Sequence, residues 1–261
     1  MVASFTAGAI TDEHVVAALR PFVRATRPVL DALRESDPFG LRQRALRGSV
    51  ADEGERSLRD KVLDRFSMVH IPGTPAWAVM SPDQRCNWWV NRVGRFTALL
   101  AAVPGVGGLI ADRLPVQDAL GAAGQGLLLC AIAGEYGVRD EDTQVRLLAA
   151  VLFGRKVRAA LPVAENGVDA RAAELTARLA ESERAHGRAT LRSIAATVWR
   201  MGRVLWALSD ELGKRPQGRW YHRVVGMLPA VGVLGDYFGE RTALRRAAKY
   251  GRRWLAAQGV S

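Results

Sequence analysis

Apolar residues in this chain recur with the helical period in almost every patterned segment, and no alternating stretch longer than "SMVHI", just before Pro72, reads as a strand. That periodicity confines the chain to helix-on-helix packing: an all-α fold, a single multi-helix bundle. With 261 residues, 49% of them hydrophobic, the chain is long and apolar enough to enclose a sizeable core. The amino terminus, "MVASFTAGAITDEH", carries no basic n-region and meets Asp12 and Glu13 before any sustained apolar run, so it does not read as a secretory leader. Cys86 and Cys130 each lie in an apolar helical context without metal or redox spacing, which reads as buried thiols in a reducing compartment.

Caps and breakers divide the helical pattern. Thr11 caps a helix opened by Asp12 and Glu13, and Pro21 and Pro28 are expected to break or restart it. A polar stretch over 42–59 leads to a short helix through Phe66. Ser81, Pro82 and Gln84 form a capping box for a helix running to about Val103, where Pro104 and Gly105 stop it. A brief apolar turn of helix then runs to Arg113. Pro115 opens the next helix, which runs to Tyr136 with Gly137 as its left-handed stop. Asp140 caps "EDTQVRLLAAVLF", closed by Gly154; beyond it, "DARAAELTARLAESERAHG" alternates charge along an exposed helix. A helix over about 189–212 places Ile194, Val198, Met201, Leu205 and Leu208 on a core stripe. Residues 1–80 therefore read as an N-terminal helical extension packed on the core, and 81–261 as the main helical domain.

Two glycine-rich apolar turns punctuate that domain: "VPGVGGLIAD" at 103–112 and "LPAVGVLGDY" at 228–237, sharing a Pro-x-Val-Gly core. Glycine in a helix costs about 1 kcal/mol relative to alanine, so its accumulation points to close approach of another backbone. Ala122, Gly126, Cys130 and Gly134 make a small-residue stripe at four-residue spacing, and Gly235 with Gly239 a GxxxG pair. The reading is two related helical corners inside one bundle. The apolar runs at 96–111 and 119–134 fall short of the roughly 20 residues a spanning helix needs, although such a hairpin is compatible with an interfacial position.

Charge points to partners. The chain has 37 basic and 26 acidic residues, a net +11, and only Lys61, Lys156, Lys214 and Lys249 among the basic ones are lysine. Arginine forks match phosphate, which makes anionic lipid headgroups, nucleic acid or acidic protein faces the natural partners. On a helical wheel, "ERTALRRAAKYGRRWLAAQ" puts Leu244, Ala247, Ala248, Gly251, Trp254 and Leu255 on one face. Arg241, Arg245, Arg246, Lys249, Arg252 and Arg253 occupy most of the other, and a basic amphipathic helix with a boundary Trp is what anionic membrane surfaces attract. The same stripe also suits a surface helix closing the bundle.

Catalytic patterns are not found. His14, His70, His186 and His222 stand in unrelated contexts with no serine elbow, no HExxH and no CxxC, and neither "GVGG" nor "GAAGQG" has the order of a phosphate loop; no cofactor is implied. The one chemically provocative set is Asp112, Asp118, Glu135 and Asp236, which would form an acidic pocket if the two glycine-rich corners meet. That pocket would suit an enzyme of unrecognised type. Nucleic acid is a charge-based alternative without stacking platforms or a recognition helix, and Trp88 and Trp89 in "CNWWVNR" read as packing anchors. "RDEDTQ" reads as helix capping.

The segment "RFTALLAAVPGVGGLIADRLPVQDALGAAGQGLLLCAIAGEYGV" with the following "RDEDTQVRLLAAVLFGR" resembles the EcsC family, in which an Ala/Gly/Pro-rich turn, an Asp and an Ile-Ala-x-x-Tyr-Gly-like helix end recur; here that end is Ile132 to Gly137. The carboxyl-terminal "LPAVGVLGDYFGERTALRRAAKYGRRWL" is similar to the family's closing glycine element and basic helix. The resemblance covers roughly 95–155 and 224–255. It implies a helical bacterial protein, membrane-associated or transporter-linked, without an established catalytic residue. The arginine-rich surface departs from the family's more hydrophobic members and argues against integral insertion. The resulting expectation is a cytoplasmic protein docking peripherally on the inner face of the membrane through Arg241, Arg245, Arg246, Lys249, Arg252, Arg253 and Trp254, beside a transporter or another membrane protein.

Overall fold

A computed structural model describes residues 11–35, 72, 75–102, 116–158, 165–213 and 233–260. All regular structure among the described residues is helical: α1 Asp12–Glu35, the single turn α2 Pro75–Ala78, α3 Pro82–Ala102, α4 Val116–Glu135, α5 Glu141–Phe153, α6 Glu165–His186, α7 Leu191–Gly213 and α8 Val233–Ala257. Both glycine-rich corners lie outside the described residues, apart from the helical backbone of α8 from Val233 onward. The helix expected to end at Phe66 and the brief turn reaching Arg113 lie outside them as well.

The helix ends follow the local chemistry of the sequence. The Ser81 hydroxyl accepts from the Gln84 amide at 3.3 Å while the Gln84 side chain accepts from the Ser81 amide at 2.9 Å, a closed capping box. Asp140 accepts from the Thr143 amide at 2.7 Å, and Gly154 ends α5 at φ 61°. Gly137 stops α4 at φ 78°, where the Val138 amide reaches back to the Ala133 carbonyl at 2.8 Å in a Schellman closure.

The first helix departs from expectation. Pro21 and Pro28 lie inside a continuous α1 instead of breaking it. Each proline removes an intrahelical donor and opposes helix by about 3 kcal/mol. Opposing this, Val15, Val16, Leu19, Phe22, Val23, Val29, Leu30 and Leu33 form an unbroken buried stripe through both positions. The helix packs on α4, α5, α6 and α7, so residues 12–35 belong to the core itself.

Side-chain forks fasten α1 on its other side. Arg20 pairs with Glu141 at 3.3 Å and Asp142 at 2.8 Å, while Arg24 reaches Glu141, Glu165 at 2.6 Å and Asp169. The Glu141 contact above all, then Glu165, raises the Arg24 guanidinium above its ordinary value. The carboxylates of "RDEDTQ" thus serve an interhelical ion-pair network as well as the Asp140 cap. Glu165 and Asp169 give the otherwise solvated α6 its polar attachment, beside its buried Val168, Leu175 and Leu179.

At the centre lies α4, packed against α1, α3, α5, α7 and α8. It is buried nearly all round: Leu120, Ala123, Leu127, Leu128, Leu129, Ile132 and Ala133 are all closed to solvent. The expected stripe of small residues has mixed roles. A Cβ on Gly126 would lie 2.6 Å from the Phe22 ring, a side-chain contact, whereas one on Gly134 would meet nothing within 4 Å. The close backbone approach is made elsewhere, by Gly202 of α7, whose added Cβ would stand 2.2 Å from the Ala119 carbonyl oxygen.

This contrast predicts opposite signs for the same substitution. Gly202→Ala forces α7 away from α4 and should cost about 1–3 kcal/mol, as overpacking does. Gly134→Ala enters open space inside a helix and should stabilise by about 0.5–1 kcal/mol. Urea unfolding followed by circular dichroism checks both.

Candidate functional site

The apolar face expected for α8 is buried. Leu244, Ala247, Ala248 and Leu255 are buried, and Gly251 lies so close to α4 that an added Cβ would stand 2.6 Å from Leu129. This face packs on α3, α4 and α5. Trp254 is only partly buried and leans on the same core. The apolar side is therefore packed on the bundle, with Trp254 partly exposed at its edge.

The outward face carries Arg245, Arg246, Lys249 and Arg253, all exposed, with Tyr250 51% exposed among them. No acidic residue follows Glu240 in the chain, so no carboxylate of α8 itself interrupts this face after that point. Arg252, expected in the same set, is instead turned to the first turn of α3, where its guanidinium donates to Asp83 at 2.6 Å. The side chains of Arg241 and Asp236 lie outside the described residues.

Asp83 connects α8 to a polar and aromatic cluster at one end of the bundle. It also accepts from the Tyr136 hydroxyl at 3.2 Å. The Arg252 hydrogen bond holds the Asp83 carboxyl below its ordinary value of 3.8, while burial first, then Cys86 and Asp83, raises the Tyr136 hydroxyl. One residue earlier, Glu135 is 8% exposed at its side chain and accepts from the Trp89 indole at 2.9 Å, with Arg34 at 3.5 Å and Arg85 at 3.7 Å. A buried carboxylate is tolerable when paired and hydrogen-bonded in this way. Arg34 stacks over Trp89, Arg85 over Trp77 and Arg92 over Trp88, while the three indoles meet edge to face. Trp88 and Trp89 are thus packing anchors, as expected.

The expected acidic pocket is not assembled by the members that are described. Asp118 and Glu135 stand near opposite ends of α4, about 25 Å apart along the axis at about 1.5 Å per residue. Asp118 is half-buried, and burial raises its carboxyl. Asp112 lies outside the described residues. Among the described residues, no group of three His, Cys, Asp or Glu side chains is placed to hold a metal ion. Cys86 and Cys130 are buried free thiols, each pushed up to about 12 by burial, and they offer no nucleophile at neutral pH. No family model, curated protein or solved structure matches the chain.

Sequence spacing singles out few of the residues in this cluster. Arg92, four positions after Trp88, is a local signal of its stacking contact. Arg34, Arg85, Asp83 and Trp77 join the cluster through tertiary contacts or a turn, for which spacing gives no sign.

The Asp83–Arg252 pair yields a signed pH expectation. A depressed folded-state carboxyl stabilises the fold fully above its ordinary value of 3.8, and that contribution is lost as pH falls through the lower folded value. Arg252→Gln should return Asp83 to the ordinary carboxylate range. Carboxyl-detected NMR titration of the two proteins checks this; an unmoved Asp83 would assign its shift to Tyr136 instead.

Proposed function

We propose that this protein docks peripherally on an anionic membrane surface through the outward face of α8, using Arg245, Arg246, Lys249 and Arg253. One observation carries the reading: the apolar side of α8 is consumed by the bundle, while its opposite side presents four exposed cations and Tyr250. A helix that only closed a bundle would not need so one-signed an outer face. The resemblance to the EcsC family supports the same placement, at the cytoplasmic face of the membrane beside a transporter or other membrane protein. Among the described residues, no helix is long and apolar enough to cross a membrane, which suits a surface position.

The mode of attachment is electrostatic. Each Lys or Arg near an anionic leaflet contributes about 1 kcal/mol, so four together amount to about three orders of magnitude in partitioning. The field falls off within a Debye length, about 10 Å at 0.1 M salt and 3 Å at 1 M. Co-sedimentation with phosphatidylcholine and phosphatidylcholine–phosphatidylserine vesicles should show binding to the anionic vesicles alone, lost at 1 M salt. The combined Arg245→Gln, Arg246→Gln, Lys249→Gln and Arg253→Gln protein should lose that binding with unchanged helical content. Binding that survives all four substitutions overturns the assignment.

A further inference from the structure

Three large hydrophobic residues are strongly exposed among the described residues: Val79 at 85%, Tyr250 at 51% and Leu191 at 45%. A single exposed apolar side chain is ordinary. The position and support of Val79 are more specific. It lies at the tip of the turn between α2 and α3, and that turn is firmly built. The Met80 amide donates to the Trp77 carbonyl at 3.1 Å, and the Arg85 guanidinium donates to the Ala78 carbonyl at 3.1 Å while stacking over Trp77. Trp77 in turn meets Trp88 edge to face at 5.1 Å, and the Ser81–Gln84 box closes the turn from the other side. The most exposed large apolar residue among those described is thus held outward by contacts on both flanks, with two partly exposed indoles at its base.

Its surroundings are cationic. Asp83, four residues on, is the acceptor for Arg252, so the turn is tied directly to α8 beside the exposed Arg253 and Lys249. The acids of the adjoining polar cluster are paired: Asp83 with Arg252, and Glu135 with Arg34 and Arg85. An apolar tip above tryptophans, flanked by arginines, has the chemistry of the interface of an anionic bilayer, where aliphatic groups enter the acyl boundary, indoles sit at headgroup depth and cations meet phosphate.

We infer that Val79 is a membrane-inserting tip, which enters an anionic leaflet when the basic face of α8 docks and thereby fixes which end of the bundle faces the bilayer. This rests on the docking reading above and adds depth and orientation to it. Electrostatic docking alone would leave Val79 in water. Transfer of a valine side chain out of water strengthens binding about tenfold.

The test uses the full chain with Val79→Cys carrying an environment-sensitive NBD label; Cys86 and Cys130 are buried, and unsubstituted protein treated in the same way controls for their labelling. Phosphatidylcholine–phosphatidylserine vesicles should shift the label's emission to the blue and raise its intensity. Val79→Thr, isosteric and uncharged, should bind these vesicles about tenfold more weakly than the unsubstituted protein, with the same circular dichroism spectrum. If the protein sediments with the vesicles while the label stays water-like and Val79→Thr binds as well as the unsubstituted protein, insertion is overturned and electrostatic docking stands. If the unsubstituted protein binds no anionic vesicle, both readings fall together.

Discussion

A helix that is apolar on every side has to be enclosed, and α4 imposes that requirement on everything around it. Its side chains from Ala119 to Ala133 are buried almost without interruption, and five helices form the sheath. The prolines of α1 are tolerated because their helix supplies one wall of that sheath. Gly202 is needed because α7 lies on the α4 backbone at Ala119, where a methyl group would stand 2.2 Å from a carbonyl oxygen. The polar tip of α4 is closed in the same manner: Glu135 receives an indole and two guanidinium groups, Tyr136 reaches Asp83, and Gly137 turns the chain away.

These contacts give the Ile132-to-Gly137 stretch a structural use. Ile132 and Ala133 are core, Glu135 and Tyr136 bind the ends of α1 and α3, Asp83 carries the connection on to Arg252 of α8, and Gly137 supplies the left-handed stop. A similar division applies to the abundant arginine. Arg24 touches three carboxylates from two helices, and Arg92 places two of its nitrogens on the Leu33 carbonyl at 3.2 and 2.9 Å. Only a planar, forked donor makes such contacts; a lysine ammonium is a point charge on a flexible stem. Part of the chain's basic character is therefore internal fastening, and net charge alone overstates what is available to a partner.

The sequence revealed whatever is decided within about one helical turn. The Ser81–Gln84 box, the Asp140 cap, the stops at Gly137 and Gly154 and the two faces of α8 all depend on neighbours a few positions apart. What escaped it depends on partners beyond one helical turn, from Arg85 over Trp77 across a turn to Arg252 on Asp83 across most of the chain. Pro21 and Pro28 read as breakers because local propensity opposes them, and only the packing of α1 overrides that propensity. The small-residue stripe on α4 pointed to the right helix for close approach, but the glycine that meets a backbone is on α7, in a segment whose stripe read simply as core. Arg252 looks equivalent to its neighbours on the wheel, and only its contact with Asp83, far off in the chain, sets it apart.

The amphipathicity of α8 illustrates why a hydrophobic stripe is ambiguous evidence for membrane binding. The same Leu244, Ala247, Ala248 and Leu255 would serve a lipid interface or a protein core equally well, and their area can be spent only once. The bundle takes it, so any affinity of α8 for a bilayer must come from charge, which is long in range but screened by salt and indifferent to depth. Charge alone brings a protein to a surface without fixing its orientation. Fixing the orientation requires an apolar group that loses water only in one pose, on a part of the fold too rigid to tuck that group away. The turn between α2 and α3 is braced by Arg85, Trp77 and Trp88, and the Asp83–Arg252 bridge ties it to α8.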